Sequence, residues 1–502
     1  MPDAPDDATP GARDASRPAP APAQVAAARR RAVAELARVA PLVEELGRRF
    51  AAAGHEVALV GGPVRDAFLG RLGGAGAFDL DFTTSARPEQ TLELLRGWAD
   101  AHWDVGREFG TIGARRGDVV VEVTTYRADR YDPDSRKPEV AFGSSLEGDL
   151  SRRDLTVNAM ALRLPSLEFV DPFGGLADLA ARVLRTPVAP ERSFADDPLR
   201  MMRLARFASQ LRFAPAPAAL AAATALADRI GIVSAERVRT ELEKLLLGAD
   251  PRAGLSVLVG TGLADRVLPE LPALRLEIDE HHRHKDVYEH TLTVLEQAIA
   301  LEDSPDLVLR LAALLHDVGK PATRRFEPGG GVSFHHHEVV GAKMTARRLK
   351  ALRFDKETTR AVARLVELHL RFHGYGDGEW TDSAVRRYVT DAGPLLDRLH
   401  KLTRSDSTTR NRARAARLAR AYDDLEARIA RLQAAEELAA VRPELGGEEI
   451  MRLLGVRPGP VVGRAYQHLL ALRLDAGPVG EEAARAELLR WWAEQPESQQ
   501  PG

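Results

Sequence analysis

Cysteine is absent from the 502-residue chain, and its absence limits the chemistry available to the protein. Without cysteine there are no disulfides and no thiolate ligands, so any bound metal must be held by histidine and carboxylate side chains. The sequence also lacks a run of about 18 uncharged apolar residues and the basic-then-apolar order of a signal peptide. We therefore expect a cytoplasmic protein with no membrane partner.

A strong excess of charge of one sign is also missing. The formal net charge is -3, so contacts with nucleic acid would have to come from local basic faces. The composition, 44% hydrophobic and 28% charged, is that of an ordinary soluble protein. The length allows three or four compact units. The composition gives no indication of oligomeric state.

The pattern along the chain predicts an α+β protein whose mixed-sheet head precedes a long helical body. Short β-rich runs occur at His55–Val60, Phe78–Thr84 and Val119–Arg127, and helical periodicity dominates from about Asp171 onward. The predicted divisions are a disordered tail (1–25), the head (26–170), a helical neck (171–275), a histidine-rich domain (276–409) and a helical tail (410–495).

Gly61 and Gly62 directly follow a predicted strand and open a helix that carries Arg65. Paired glycines let backbone N–H groups approach an anion, and the helix N-terminus adds a favourable dipole. Arg65 can add bidentate contacts to a phosphate. The segment therefore fits a phosphate cradle, although a plain tight turn explains the two glycines equally well.

Asp79 and Asp81 favour the first interpretation. Residues i and i+2 of a strand point to the same face, so both carboxylates aim at one place. Mg²⁺, which prefers oxygen ligands, removes the repulsion that two neighbouring carboxylates would otherwise suffer. Glu122 lies in another predicted strand and is a candidate third acidic residue, with a solvent-facing strand position as the alternative.

Two further polar segments precede and open helical regions. The first contains Arg153, Asp154 and Asn158. In the second, Asp196 and Asp197 precede Pro198, so helix capping alone could explain this acidic pair. The arginines that follow at i, i+3 and i+6 share one helix face, and such a basic stripe beside an apolar face usually has an anionic or hydrogen-bonding partner. These arginines are Arg200, Arg203 and Arg206.

Together these motifs (Gly-Gly-X-Val-Arg-Asp, Asp-X-Asp, Arg-Arg-Asp and acidic-Asp-X-X-Arg) resemble the class II branch of the polymerase β-like nucleotidyltransferases. This branch comprises the bacterial CCA-adding enzymes and poly(A) polymerases. The resemblance implies template-independent addition of C, C and A to tRNA from CTP and ATP, with pyrophosphate released by a two-Mg²⁺ phosphoryl transfer. Asp196 stands where the family usually has Glu, which leaves its role open.

The resemblance also implies a role for each motif. Asp79 and Asp81 would be the Mg²⁺ ligands. The phosphate cradle would be Gly61, Gly62 and Arg65, and the ribose segment would be Arg153 and Asp154, with Asn158 close by. Asp197 and Arg200 would hydrogen-bond the Watson–Crick edge of C or A, with Arg203 and Arg206 supporting them or reaching the phosphates.

Poly(A) addition, or addition of A or C alone, is the alternative within this family. Poly(A) polymerases of the branch usually carry an arginine-rich strand after the carboxylates, whereas here the segment Val105–Thr111 resembles the CCA-adding type. A second alternative, a phosphohydrolase whose head only binds nucleotide, is disfavoured by the intact Asp79 and Asp81.

The histidine-rich domain resembles the HD phosphohydrolases, because an apolar run ends in adjacent His316 and Asp317. The resemblance implies a divalent-metal site, and His and carboxylate ligands suit Mn²⁺, Ni²⁺, Fe or Mg²⁺. It also implies a phosphatase or 2′,3′-cyclic phosphodiesterase, with an inactive scaffold as the alternative. The matching ligands are His290, His316, Asp317, His337, His369 and Asp406.

Other histidines are expected not to ligate. His281, His282 and His284 suit a polar loop, and His335, His336 and His373 would be neighbours of the metal site.

The C-terminal region predicts RNA contacts. Five arginines occur within eleven residues that include no acidic residue, a density expected of contacts to an RNA backbone. The segment Leu454–Gly463 could bring helix N–H groups to a phosphate or simply form a tight helix corner. The arrangement from His316 to Gly463 resembles the actinobacterial CCA enzymes. The five arginines are Arg410, Arg412, Arg414, Arg417 and Arg420.

Overall fold

Strands and helices alternate in the first half of the chain, and helices dominate the second half. The computed structural model describes residues 22–73, 78–127, 142–143, 145–275, 286–328, 331–372, 375, 380–407, 412–436 and 442–499. The chain divides into two compact units, Met1–Pro269 and Glu270–Gly502. Among the described residues, no helix has both the length and the apolar character of a transmembrane span.

The first unit contains nine strands and twelve α-helices among the described residues. In chain order they are α1 Pro22–Ala37, α2 Ala40–Ala52, β1 Val57–Val60, α3 Gly62–Leu69, β2 Phe78–Thr84, α4 Pro88–Leu95, β3 Ala101–Trp103, β4 Thr111–Arg116, β5 Val119–Thr125, α5 Leu146–Ser151, β6 Ala161–Leu164, β7 Glu168–Val170, α6 Gly175–Ala181, β8 Val183–Leu184, α7 Pro190–Asp196, α8 Leu199–Leu211, β9 Ala214–Pro215, α9 Pro217–Ala225, α10 Ala235–Leu246, α11 Pro251–Gly260 and α12 Leu263–Val267.

Seven of these strands form one mixed sheet in the order β3-β4-β5-β2-β1-β6-β7. β2 and β5 are parallel, whereas the other neighbours pair antiparallel. In β2, Leu80 and Phe82 are buried in the core, so the alternating Asp79 and Asp81 lie on the opposite face. The sheet confirms the predicted mixed-sheet head and its α+β class.

The turn between β1 and α3 requires glycine at position 61. Gly61 has a φ of 75°, which L-residues with side chains rarely adopt. A Cβ built there would lie 2.9 Å from Nη1 of Arg153, so a side chain would also collide with a neighbour. Gly61 therefore allows the chain to turn into α3 while Arg153 approaches its backbone.

Helix α8 connects the sheet-bearing part of the unit to the helices that follow. Its apolar residues Met201, Met202 and Leu204 are buried. The helix begins at Leu199, one residue later than the motif predicts, and Asp197 precedes it in an extended conformation. The Leu199 N–H donates to Oδ1 of Asp197 at 3.2 Å, so this carboxylate still caps the helix.

The second unit is built almost entirely of helices. Its elements are α13 Val287–Ala300, α14 Leu307–Leu315, α15 Lys320–Thr323, β10 Arg325–Glu327, β11 Gly331–Ser333, α16 His337–Ala351, α17 Lys356–Leu368, α18 Asp382–Ala392, α19 Leu396–Asp406, α20 Arg412–Glu436, α21 Gly447–Leu454, α22 Pro460–Ala476 and α23 Glu481–Ala493. The last three helices share an apolar cluster of their own, built around Ile450, Leu469 and Leu488. The finer domain boundaries stay predictions.

Candidate active site and metal centre

Three carboxylates lie together on neighbouring strands of the mixed sheet. Asp79 and Asp81 share a face of β2, and the parallel register places Glu122 of β5 directly beside Asp81. We call these three residues the carboxylate trio. In the sequence, only its residue type marks Glu122 as a candidate third acidic residue. The strand register shows that it lies beside Asp81.

Asp79 and Glu122 are exposed, as the solvent-facing alternative for Glu122 expects, whereas Asp81 is half-buried. Burial raises the pKa of the Asp81 carboxyl to about 6. The charges of Asp79 and Glu122 contribute to this rise, and Arg153 opposes it. Burial and the charge of Asp79 also raise the pKa of Glu122. Oxygen donors that destabilise one another's charge suit a hard divalent cation such as Mg²⁺.

Asp81 lies in the wall of a cavity of about 850 Å³ within the first unit, which we call the arginine cavity. Its wall contains nine basic side chains and four carboxylates, so the lining favours an anionic ligand. Gly61, Gly62 and Asn158 also line it. The basic residues are Arg65, Arg127, Arg152, Arg153, Arg200, Arg203, Arg206, Arg237 and Lys244, and the acidic residues are Asp81, Asp154, Asp196 and Asp197.

Hydrogen bonds and ion pairs orient the arginines of this cavity. Arg65 donates to Oδ1 of Asn158 at 2.6 Å and also to Asp66. Nη2 of Arg203 lies 2.7 Å from Oδ2 of Asp154. Nη1 of Arg206 lies 3.2 Å from Oε2 of Glu241 on α10.

Asp154 connects several of the predicted residues. Its Oδ1 accepts from the Leu155 N–H at 2.8 Å and from the side-chain amide of Asn158 at 3.0 Å. Burial alone would raise the pKa of Asp154, but Arg203 and the hydrogen bond from Asn158 outweigh burial and lower it to about 2. Asp154 is therefore an ionised, buried anchor for Arg203 and Asn158.

Asp149 on α5 is a residue that sequence reasoning missed. It is fully buried, and its carboxylate accepts from Arg152 at 2.7 Å and from Arg153 at 3.3 Å. Asp149 precedes these arginines by three and four residues, the spacing at which side chains meet on a helix. That spacing is the signal that could have identified it.

Arg200 and Asp197 both line the arginine cavity, as their predicted role requires, and both already have partners. Nη1 of Arg200 donates to the carbonyl and hydroxyl of Ser193, and Nη2 donates to the Arg152 carbonyl. Asp197 caps α8 and lies 3.4 Å from Arg237 through its other oxygen. The predicted capping role of Asp197 is therefore present, and its carboxylate also borders the cavity.

The second unit brings six metal-ligating side chains together. His290, His316 and Asp406 form one group and Asp317, His337 and His369 form another, each with its ligand atoms within 4.8 Å of one another. Helices α13, α14, α16, α17 and α19 supply or border these positions. We call the six residues the histidine cluster.

The imidazole orientations suit metal binding. The Nδ1 atoms of three histidines donate to backbone carbonyls one turn earlier: His316 to Ala313, His337 to Phe334 and His369 to Val366. In the neutral imidazoles, each Nε2 is therefore the atom that carries the lone pair. These three Nε2 atoms are buried, make no hydrogen bond within the part of the chain that the structure describes, and face the carboxylate of Asp317.

Asp317 joins the two groups. Its Oδ2 lies 3.2 Å from Nε2 of His316, and its Oδ1 lies 3.2 Å from Nε2 of His337. Lys320, which sequence reasoning did not single out, donates to the same Oδ2 at 2.6 Å. A carboxylate with one oxygen toward each group is suited to bridge two ions.

The charges within the cluster also fit a cationic ligand. Burial lowers the pKa of His316, but Asp317 and Asp406 outweigh it and raise the pKa to about 10. Burial and the charge of His316 lower the pKa of His369 to about 4. One positive charge beside Asp317 and Asp406 is thus stabilised, whereas His369 is held neutral.

The structure tests the other histidine predictions unevenly. His335 and His336 are exposed and outside the two groups, whereas His281, His282, His284 and His373 lie outside the described residues. Arg410 also lies outside them. Arg417 and Arg420 are exposed on α20, and Gly463 is in the first turn of α22.

Known protein families match three segments of the chain. Residues 57–185 match the poly A polymerase head domain. Residues 212–274 match the "Probable RNA and SrmB-binding site of polymerase A", and residues 287–432 match the HD domain. A polymerase β-like head followed by an HD domain defines the class: a nucleotidyltransferase with a fused HD domain.

Relatives identify the family within that class. The chain is 36% identical over 452 residues to the A-adding tRNA nucleotidyltransferase of Deinococcus radiodurans, covering 88% of this chain and 96% of that protein. It is 33% identical over 443 residues to the CC-adding tRNA nucleotidyltransferase of Thermus thermophilus, covering 86% and 93%. The chain belongs to the bacterial tRNA nucleotidyltransferases, the family that adds nucleotides to the 3′ end of tRNA.

A solved structure supports the fold. The chain resembles the crystal structure of the Bacillus stearothermophilus CCA-adding enzyme in complex with CTP, with a TM-score of 0.64 and 24% sequence identity. The match covers 90% of this chain and 97% of that chain. The predicted polymerase β-like fold is confirmed.

Proposed function

We propose that the first unit adds C, C and A in turn to the 3′ end of tRNA, using CTP and ATP and releasing pyrophosphate. The observation that carries the proposal is the position of Asp81, which has Asp79 and Glu122 beside it and lies in the wall of the arginine cavity. Metal-binding carboxylates next to a basic cavity are what transfer from a nucleoside triphosphate requires.

The chain's own residues would divide the work as follows. Asp79 and Asp81 hold Mg²⁺, with Glu122 completing the acidic face. Bound there, Mg²⁺ would stabilise the charge that develops as the RNA 3′-hydroxyl attacks the α-phosphate, in the two-metal manner. The glycine turn at Gly61 and Gly62 gives the triphosphate close access to the backbone N–H of Gly62, and Arg65 binds it from α3. Arg153, Asp154 and Asn158 border the ribose.

Base selection rests on Asp197 and Arg200. C offers an N4 donor with N3 and O2 acceptors, and A offers an N6 donor with an N1 acceptor. Asp197 can accept from either amine and Arg200 can donate to either ring nitrogen, whereas U and G present ring N–H donors. The three hydrogen bonds from Arg200 to Ser193 and the Arg152 carbonyl fix its guanidinium plane, which favours such reading.

Replacing Arg200 tests this selection. Arg200→Lys keeps the charge but loses the planar donor fork, so the preference of kcat/KM for CTP and ATP over UTP and GTP should fall by about one to two decades. Arg152→Lys, in the same cavity wall, is the matched control and should slow all four nucleotides alike. An unchanged preference in Arg200→Lys would contradict the reading role.

The nucleotides that are added can be determined with tRNAs lacking CCA, CA or A. Wild-type protein should extend all three tRNAs. It should use CTP to add the two cytidines and ATP to add the final adenosine. Addition of A alone is the second candidate, favoured by the full-length similarity to the A-adding relative. Addition of A alone predicts that only the tRNA lacking its final A is extended. Addition of C alone would stop after the two cytidines. Repeated AMP incorporation would indicate poly(A) addition.

For the histidine cluster we propose a divalent-metal site that serves a phosphatase or 2′,3′-cyclic phosphodiesterase. The Nε2 atoms of three histidines, which make no hydrogen bond within the described part of the chain, support this role. So does Asp317, which directs one carboxylate oxygen toward each group of ligands. Mn²⁺, Ni²⁺, Fe and Mg²⁺ all suit these donors.

Exposed Arg417 and Arg420, together with the helical neck, are proposed RNA contacts. Cytoplasmic location stays a prediction.

Removing one ligand should change the metal content without changing nucleotide addition. Purified wild-type protein should hold about two divalent ions per chain by elemental analysis, and His337→Ala should hold about one because it removes a donor from one group. His336→Ala, at the exposed neighbouring position, is the control and should match the wild type. Equal metal content in His337→Ala and wild type would contradict the assignment.

A further inference from the structure

Three guanidinium groups of the arginine cavity surround one aromatic ring. Phe207 on α8 is 4% exposed and lines the cavity. The guanidinium carbon of Arg206 lies 4.2 Å from the ring centroid, that of Arg65 lies at 5.2 Å and that of Arg203 at 6.0 Å. Each distance falls at or within the range of cation–π attraction.

These arginines come from separate parts of the first unit. Arg65 is on α3, just after the paired glycines, whereas Arg203 and Arg206 are on α8. Three like charges so close together repel one another. The negative face of an aromatic ring offsets part of this repulsion, and an aliphatic side chain of similar size would not.

Each arginine is also held from another side. Arg65 is bound to Asn158, Arg203 is paired with Asp154 and Arg206 is paired with Glu241. An acceptor on one side and the ring on the other limit the rotation of each guanidinium. The remaining donors are then presented in fixed directions within a cavity that suits an anion.

We propose that Phe207 is a positioning residue that orients Arg65, Arg203 and Arg206 toward the phosphates of the incoming nucleoside triphosphate. This inference rests on the proposed function of the cavity. Phe207 touches no reacting atom in this account. Phe207 determines how well the arginines of the free protein are oriented for the triphosphate. Its replacement should therefore change the affinity for nucleotide more than the rate of transfer from bound nucleotide.

A series of fluorinated phenylalanines at position 207 separates this role from simple packing. Fluorine withdraws electron density from the ring face while nearly preserving its shape. The dissociation constants of CTP and of inorganic triphosphate, measured by calorimetry on the full chain, should rise stepwise with fluorine number. The total rise should be about two- to thirty-fold. KM for CTP should follow, with a smaller change in kcat and none in KM for tRNA.

Phe213 provides the matched control. It is similarly buried, and among the described residues no guanidinium lies over its ring. Fluorination of Phe213 should leave CTP affinity unchanged. Dissociation constants for CTP and inorganic triphosphate that do not change across the Phe207 series would overturn the positioning role. Absence of nucleotide transfer by the wild-type protein would instead overturn the proposed function, because the binding measurements do not depend on transfer.

Discussion

Charge repulsion among neighbouring side chains of like charge is the constraint on which both sites depend. In the first unit, Asp79, Asp81 and Glu122 meet on two parallel strands, and arginines crowd a neighbouring cavity. Charges of the opposite sign relieve the repulsion within each group. The arginines obtain part of this compensation from Asp149, Asp154 and Glu241, whereas the trio retains a pKa of about 6 at Asp81.

The same logic applies to the histidine cluster with different ligands. Backbone carbonyls accept from the Nδ1 side of three imidazoles, so their Nε2 atoms face the carboxylate of Asp317. The head uses oxygen donors alone, while the second unit mixes nitrogen and oxygen. Hard cations suit the first set, and transition metals suit the second. A chain without cysteine therefore provides two chemically different sets of candidate metal ligands.

Residue type and spacing predicted those parts of the sites that lie within one element. The i, i+2 spacing of Asp79 and Asp81 indicated a shared strand face, and the glycines before α3 indicated a turn. Contacts between residues far apart in the chain could not be predicted from the sequence. The pairing of β2 with β5 places Glu122 beside Asp81, although 41 residues separate them, and α10 supplies Glu241 to Arg206. The spacing of Phe207 on α8 likewise carries no information about the cations that lie over its ring.

The central claim is that the trio holds the metal for nucleotide transfer. It is tested most directly by the single-turnover rate of CMP addition to tRNA lacking its last three nucleotides, measured for Asp81→Asn. Asp118→Asn, an exposed position in the turn between β4 and β5, is the control. We expect a loss of about three orders of magnitude or more for Asp81→Asn, with the metal content of the second unit unchanged. A rate near that of the wild type in Asp81→Asn would contradict it.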